Sequence, residues 1–94
     1  MENKPLKVGQ YALIQNDDGL ILALKRKKSG LWSLPGGRLN QDERDWLLAL
    51  KREVFEETGL EVISASPYSV EIVEDEWQVK YCVYFSVVAD VGLN

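Results

Sequence analysis

The chain has 94 residues, of which 46% are hydrophobic and 28% are charged, and its formal net charge is −4. This length allows a single domain, and no apolar run approaches the ~18 residues that a membrane-spanning helix needs. The negative charge argues against a general binder of nucleic acid or of anionic membranes. We therefore expect one soluble domain over residues 1–94.

The first half of the chain predicts two strands and a long loop. Residues 8–14 are strand-like, and the turn sequence NDDGL at residues 16–20 leads into an apolar run at residues 20–24, which favours a hairpin. Residues 29–37 contain three glycines and a proline, which are typical of a loop. We expect the loop to be anchored in the core by three of its side chains: Leu31, Trp32 and Leu34. The alternative for Trp32 is stacking on a nucleotide base.

A helix is predicted from Trp46 to Thr58. Asp45 is a suitable N-cap, because its side chain can accept hydrogen bonds from the first backbone N–H groups. Gly59 is a suitable residue to end the helix, because glycine readily adopts the left-handed conformation. No glycine or proline interrupts the residues between them. The helix therefore has about 13 residues.

The second half predicts further strands. We expect a strand near residues 60–65, a break at Ser66 and Pro67, and a strand near residues 68–73. Residues 74–76, EDE, should turn the chain into a partly central strand over residues 77–89, the longest of the sheet. The element order predicts an α/β fold of the α+β type, with a mixed sheet and the helix on one face.

Two features indicate the cellular compartment. The N-terminal sequence MENKPLKVGQ lacks the apolar core of a secretory signal. The single cysteine, Cys82, cannot form an internal disulfide and lies in the apolar run YCVYFSVV. We expect a cytoplasmic protein in which Cys82 is a buried structural thiol.

Three carboxylates, Glu53, Glu56 and Glu57, are gathered in the segment REVFEETGL near the end of the predicted helix. At about 100° per residue, they share one arc of about 100°. A carboxylate in the last turn of a helix lies at the negative end of the helix dipole, which costs roughly 0.3–1 kcal/mol. Repulsion between like charges one turn apart adds roughly 0.2–0.5 kcal/mol per pair. A bound divalent cation would offset these costs; the alternative is a solvated acidic helix end. Arg52 could hold Glu56 through an i,i+4 ion pair.

Residues 36–60, GGRLNQDERDWLLALKREVFEETGL, resemble the Nudix box, whose pattern is G-x5-E-x7-R-E-U-x-E-E-x-G-U with U apolar. The second half matches in full, from Arg52 to Leu60, and the spacing from Gly37 to Glu43 also fits. The preceding LWSLPGG resembles the segment that usually leads into the box. The chain thus looks like a Nudix (MutT-like) hydrolase.

The sequence departs from the pattern at one point. Residues 44–51 separate Glu43 from Arg52, which is eight residues where the pattern has seven. Asp45 still fits the N-cap, so the extra residue belongs to the loop before the helix. If this loop bulges, Glu43 keeps the position of the family's first glutamate; otherwise Arg44 occupies it.

The resemblance implies a Nudix fold and hydrolysis of a pyrophosphate bond in a nucleoside diphosphate joined to another group X. It implies Mg²⁺, with Mn²⁺ as the alternative, bound by Gly37 through its carbonyl and by Glu53, Glu56 and Glu57. Carboxylate oxygens are suitable hard ligands for Mg²⁺. The three glutamates and Arg52 are the implied catalytic residues, with Arg52 orienting a glutamate. Glu53 is our candidate to accept the proton of the attacking water.

Further substrate contacts are expected at Arg26, Lys27, Arg38 and Glu43. Arg26 and Lys27 belong to the basic patch KRKK, residues 25–28, which could steer a polyanionic substrate; the alternative is a solvated strand end. The expected partner is a small nucleoside diphosphate derivative, and neither nucleic acid nor a membrane. The sequence contains no motif that selects X or the base.

Two other functions remain open. The chain ends soon after the last predicted strand, whereas Nudix domains usually continue with further strands and a second helix. It could therefore be an incomplete domain that binds nucleotides without turnover, with a homodimer covering the exposed sheet. A structural domain whose acidic arc binds nothing is the third interpretation.

Overall fold

The computed structural model describes residues 4–90, which form six strands and one helix. The sequence expectations about the two chain ends fall partly on residues 1–3 and 91–94, which lie outside the described residues. In chain order the elements are β1 (Leu6–Ile14), β2 (Leu24–Lys25), β3 (Trp32–Ser33), β4 (Gly36–Arg38), α1 (Trp46–Thr58), β5 (Glu61–Glu74) and β6 (Val79–Asp90).

The main sheet has the strand order β4-β1-β6-β5 and is mixed. β1 runs parallel to β6, while the β1–β4 and β5–β6 pairs are antiparallel. A separate two-stranded sheet joins β2 to β3. The predicted α+β class with a mixed sheet and a helix on one face is confirmed, and β6 is central as expected. No helix within residues 4–90 is long and apolar enough to cross a membrane.

The helix forms where the sequence predicts it. The Asp45 carboxylate accepts hydrogen bonds from the backbone N–H groups of Leu47 (3.0 Å) and Leu48 (3.1 Å). Gly59 ends the helix with φ 76°, and its N–H donates to the carbonyl of Phe55. Both ends therefore satisfy backbone groups that would otherwise lack partners.

The hydrophobic core lies between α1 and the helix-facing side of the sheet. Leu50 and Val54 of the helix are fully buried against β1, β5 and β6. The rings of Trp46 and Phe85 stack with centroids 4.5 Å apart. The sheet residues of the core are Ala12, Ile14, Val62, Phe85 and Val87. Cys82 is buried and has no disulfide, as predicted.

The predicted hairpin is only partly formed. Asn16 organises the turn, since its side chain accepts from the backbone N–H groups of Asp18 and Leu20. Beyond it, a bridge joins Gln15 to Ile21, and residues 20–24 do not form a regular strand. The pairing expected of this run is instead made at its end, where β2 pairs with β3.

The expected loop anchor is wrong for two of its three residues. Leu31 and Trp32 are each 68% exposed, whereas Leu34 is half-buried and Pro35 of the same loop is fully buried. The β2–β3 hairpin holds Trp32 opposite Lys25, whose ammonium lies 5.8 Å from the ring centroid. Apolar side-chain character alone did not distinguish a core contact from an exposed hairpin side chain.

The predicted break at Ser66 and Pro67 is also wrong. β5 continues through it, with irregular register between Val62 and Ser64 and again between Pro67 and Ser69. Such irregularities absorb extra residues, and an edge strand tolerates a proline because one side of its backbone is unpaired. β5 has 14 residues and β6 has 12, so the prediction that the last strand is the longest is wrong.

The edge strand β5 exposes several apolar side chains. Tyr68, Val70 and Ile72 are all more than half exposed. This matches the exposed sheet surface expected from the sequence. The homodimer proposed to cover it stays a prediction, which sedimentation of the purified chain would test.

Candidate functional site

The site begins with the two glycines of β4. Gly36 has φ 138°, which side-chain-bearing residues rarely adopt, and a Cβ atom there would lie 2.1 Å from the carbonyl oxygen of Gln10. Both the dihedral angle and the space therefore require glycine. The absence of side chains also lets α1 approach the β4 backbone closely.

Glu53 and Glu57 extend from α1 to these glycines. The backbone N–H of Gly36 donates to Oε1 of Glu57 at 3.1 Å. A Cβ atom on Gly37 would lie only 3.0 Å from Oε2 of Glu53. Because the two glutamates are four residues apart, they lie on the same face of the helix. The fold thus brings two carboxylates to one short stretch of backbone.

Arg52 forms ion pairs with three carboxylates. Its Nη2 donates to Glu43 at 3.1 Å and to Glu53 at 3.2 Å, and its Nη1 donates to Glu56 at 3.2 Å. The ion pair between Arg52 and Glu56 is the one expected from their spacing. Glu53 therefore belongs both to the Arg52 cluster and to the glycine contact.

The lengthened loop bulges and leaves Glu43 beside Arg52. The Glu43 carboxylate also accepts from the backbone N–H of Asn40 at 3.0 Å. Arg44 points elsewhere, since its guanidinium donates to the backbone carbonyls of Gln41 and Glu43. Of the two arrangements considered from the sequence, the structure has the one in which Glu43 faces the box arginine.

The carboxylates differ in their electrostatic surroundings. The Asn40 N–H and the guanidinium of Arg52 lower the pKa of Glu43. Burial raises the pKa of Glu57, and the negative charge of Glu53 adds to this effect, while the Gly36 N–H opposes it. Desolvation and like charge both disfavour an ionised carboxylate. A nearby cation would therefore favour the ionised form of Glu57.

A cleft of about 630 Å³ opens over the glycine strand. Glu53 and Glu57 supply its carboxylates, and Arg26, Arg38 and Lys80 supply its positive charges. Tyr11, Asn40 and the two glycines complete its lining. A smaller hollow of about 310 Å³, which includes Lys25 and Lys27, shares Arg26 and Glu57 with this cleft.

The structure separates the predicted site residues into two groups. Gly37, Glu53, Glu57, Arg26 and Arg38 line the cleft, and Lys27 lines the adjoining hollow. Two other predicted residues, Glu43 and Glu56, do not line the cleft and face Arg52.

Tyr11 and Lys80 line the cleft but were not predicted from the sequence. Tyr11 belongs to β1 and Lys80 to β6, and neither lies near the motif in the chain. The signal for Lys80 was a single lysine within the otherwise apolar strand VKYCVYF.

The donor atoms present are suited to a hard divalent cation. Glu53 and Glu57 place carboxylate oxygens against the Gly36–Gly37 backbone, where there is no side chain to fill the space. Carboxylate and carbonyl oxygens are the ligands that Mg²⁺ prefers. Within residues 4–90, no three acidic side chains form a ready metal-binding group. Glu56, the third candidate, is paired with Arg52 instead.

Comparison with known proteins decides the family. A model of the NUDIX domain matches residues 5–93. The chain belongs to the Nudix family. In this Nudix chain the box extends from β4 through the loop to the end of α1. Nudix proteins generally use divalent metal ions and act on small nucleotide derivatives.

Relatives of this Nudix chain include several MutT-like proteins. It is 44% identical over 55 residues to a MutT-like protein of Streptomyces ambofaciens, a match that covers 58% of this chain and 35% of that protein. The matched segment is therefore about a third of the relative's length.

Solved Nudix structures share the fold. A MutT Nudix hydrolase from Burkholderia pseudomallei superimposes with a TM-score of 0.81 at 29% identity, over 93% of this chain and 70% of that one. A MutT protein from Methanosarcina mazei Go1 gives 0.71 at 35% identity, over 100% of this chain and 73% of that one. The α+β architecture of the chain is thus that of MutT-like Nudix proteins.

Proposed function

We propose that the chain hydrolyses a pyrophosphate bond in a nucleoside diphosphate joined to another group X, with Mg²⁺ as cofactor and Mn²⁺ as the alternative. The observation that supports this most directly is the approach of Glu53 and Glu57 to the backbone of Gly36 and Gly37 in a cleft that also contains cationic side chains. Phosphoryl transfer needs carboxylates that hold a metal ion and cationic groups that bind the phosphates.

Glu53 and Glu57, with the carbonyl of Gly37, are the groups we assign to the metal, and Glu56 would join them by leaving Arg52. When bound, the divalent cation supplies positive charge that polarises phosphoryl oxygens and acidifies water. Glu53 is our candidate to accept the proton of the attacking water.

Arg52 is a positioning residue in this proposal. Its guanidinium contacts Glu43, Glu53 and Glu56 and fixes the direction in which these carboxylates point. A planar fork of donors can serve several carboxylates at once, which a lysine ammonium cannot do with the same geometry. Glu43 supports Arg52 from the loop.

Arg26, Lys27 and Arg38 are the proposed phosphate-binding residues. Arg26 is fixed by a hydrogen bond from its Nε to Oγ of Ser33 at 3.1 Å. None of the three forms an ion pair with a carboxylate of residues 4–90. Arg26 lies close enough to Glu57 for its charge to lower the pKa of that carboxylate. The ligand that we propose for the three cations is a small nucleotide derivative and not a nucleic acid.

The first test is an activity assay. The purified chain is incubated with Mg²⁺ and a panel of nucleoside triphosphates, ADP-ribose and dinucleoside polyphosphates. Turnover should fall by orders of magnitude in Glu53→Gln and Glu57→Gln, and Glu61→Gln, outside the cleft, is the matched control. Undiminished turnover in both cleft variants would refute the assignment.

A Nudix-fold binding module without turnover is the second candidate. The specific observation in its favour is that Glu56 is 55% exposed and paired with Arg52, so the third expected ligand does not face the cleft. A folded chain that binds Mg²⁺ and nucleotide yet releases no product would establish it. A chain whose melting temperature does not respond to millimolar Mg²⁺ would instead indicate a structural domain. The cytoplasmic location expected from the sequence stays a prediction.

A further inference from the structure

The paired strands β5 and β6 extend beyond the start of the helix. Trp46, the first residue of α1, stacks on Phe85 of β6, and the core lies under the helix from there onward. Successive side chains of a strand point to opposite faces, so every second residue before Phe85 lies on the helix side of the sheet. These residues of β6 and their partners on β5 form a surface that we call the ribbon patch: Val70, Ile72, Tyr81 and Val83.

The ribbon patch is apolar, yet the helix does not cover it. Val70 and Ile72 are each 59% exposed, and Tyr81 is 39% exposed. The residues that alternate with the patch include a serine, a glutamate and a lysine, and they pair as Ser69 with Tyr84, Glu71 with Cys82 and Val73 with Lys80. A strand pair with one apolar and one partly polar face usually buries the apolar face. The alternation therefore indicates a covering layer that α1 is too short to provide.

The chain also exposes more surface than a folded monomer of its mass. It exposes 7226 Å² for a mass of 10.7 kDa, whereas monomers of that mass expose about 5,500 Å² on average. Its radius of gyration is 14.3 Å, against about 12 Å for a compact domain of this length. The difference in exposed surface is larger than the ~800 Å² that each partner buries in a standard interface. A second copy of the chain would bring the exposed surface toward the ordinary range.

A second copy fits the ribbon patch face to face. Packed sheets lie about 10 Å apart, and a helix is about 10 Å across. The ribbon of the partner would therefore occupy the same layer as α1, beyond Trp46, along the ~23 Å that residues 68–74 span as a strand. The patch carries no charge, and Glu74 at the end of the ribbon is paired with Lys4 at 2.7 Å. Repulsion between the two copies is thus small at this contact.

Pairing through the free edge of β5 is less suitable. Two β5 strands joined edge to edge would lengthen the sheet but leave the ribbon patches of both copies facing solvent. Pro67 also has no N–H group to donate to a new strand. In the main sheet, β4 and β5 are the two opposite edges, so a contact on the β5–β6 ribbon is separated from the cleft over β4.

We propose that the chain forms a two-fold homodimer in which the ribbon patches of two copies pack face to face. The contact is isologous, because each copy contributes the same residues. The inference goes beyond the proposed hydrolysis and does not depend on it, since no patch residue is assigned to the metal or to the phosphates. Aggregate mass and turnover are measured separately, so either proposal can fail alone.

The test is sedimentation of the purified chain from micromolar to submillimolar concentrations. Wild type should approach twice the mass of 10.7 kDa as concentration rises. Val70→Asp and Ile72→Asp should each weaken association by at least about tenfold, because an unpaired charge would have to be buried in the contact. Val73→Asp is the matched control: it places the same charge on the same strand but on the other face, and it should associate as wild type does.

A wild-type chain that keeps the mass of a monomer at every concentration would overturn the proposal. Equal weakening of association by Val70→Asp and Val73→Asp would overturn it as well, and would indicate pairing through the edge of β5. Thermal melting followed by circular dichroism shows whether each variant is folded. If the aspartate variants do not fold, Val70→Ser and Ile72→Ser replace them, with Val73→Ser as the control and the same two contrary outcomes.

Discussion

The guanidinium of Arg52 lies 3.1 Å from the carboxylate of Glu43, across a loop that is one residue longer than the Nudix pattern. The extra residue is accommodated before Asp45, which still caps the helix. Glu53 and Glu57 lie against the Gly36–Gly37 backbone in the presence of the longer loop. Glu43 also faces Arg52, although the spacing in the sequence is altered.

Arg52→Lys should reduce kcat by about tenfold or more and change KM little. A lysine ammonium cannot serve Glu43, Glu53 and Glu56 in the geometry that a guanidinium provides, so the carboxylates lose their orientation. Steady-state kinetics with the best substrate of the panel measures both constants. Lys51→Arg, the neighbouring exchange in the opposite direction, is the control. A wild-type kcat in Arg52→Lys would contradict the positioning role.

Glu57→Gln should raise the melting temperature of the metal-free chain at neutral pH. The pKa of Glu57 is raised by burial and by the charge of Glu53, so ionisation costs the folded chain more than the unfolded chain. The stability that protonated Glu57 gives the folded chain is fully present below the pKa of this group in the unfolded chain. It is lost as pH rises through the higher pKa of the group in the folded chain. Glutamine does not ionise, so the Glu57→Gln chain avoids this loss.

The same variant should lose the stabilisation that millimolar Mg²⁺ gives to wild type. Differential scanning fluorimetry with and without Mg²⁺, at neutral pH and at pH about 4, measures both effects. Without metal, the melting temperature of Glu57→Gln should exceed that of wild type by less at pH about 4 than at neutral pH. A Glu57→Gln chain that is less stable without metal and keeps its full response to Mg²⁺ would show that Glu57 is a structural residue.

Gly36→Ala should destabilise the chain by more than about 3 kcal/mol, because the new Cβ would meet the Gln10 carbonyl at 2.1 Å in a backbone conformation unfavourable to alanine. Gly30→Ala is the matched control. Gly30 also has positive φ, 72°, but has no atom within 4 Å of the added Cβ. Its cost should be about 1–2 kcal/mol. Urea unfolding of both variants gives the comparison, and equal losses would mean that the close approach of β4 to β1 is unimportant.

Asp45→Ala should lower the free energy of unfolding by about 1 kcal/mol, since two N–H groups of the first helical turn lose their acceptor. Asp42→Ala removes the same charge from the preceding loop and should cost less than about 0.5 kcal/mol. Chemical denaturation monitored by circular dichroism measures both. A comparable loss in the two variants would indicate a general charge effect and not capping.

The helix was predictable from sequence because its determinants are local. Asp45, Gly59 and the uninterrupted segment between them fix its bounds, and the structure reproduces them. The strands were less predictable. Pro67 is a sequence signal for a break, yet β5 passes through it because it pairs on one side with β6 and absorbs the irregularity in a bulge.

The sequence names candidate site residues but does not give their arrangement. The sequence identifies Gly37, Arg52 and the glutamates of the box, since their order and spacing are a recognisable pattern. It does not show that Glu56 pairs with Arg52 while Glu57 accepts a hydrogen bond from Gly36. These alternatives differ by side-chain direction, which depends on neighbours that are distant in the chain.

The sequence by itself determined the family, the helix and the set of glutamates from which the carboxylates at β4 come. Only the tertiary structure decided that Trp32 is exposed, that β5 is a continuous edge strand, and that Lys80 shares a cleft with Glu53. The physical reason is the range of the interactions. Caps and helical spacing act within a few residues, whereas strand pairing and cleft formation join residues that are far apart in the chain.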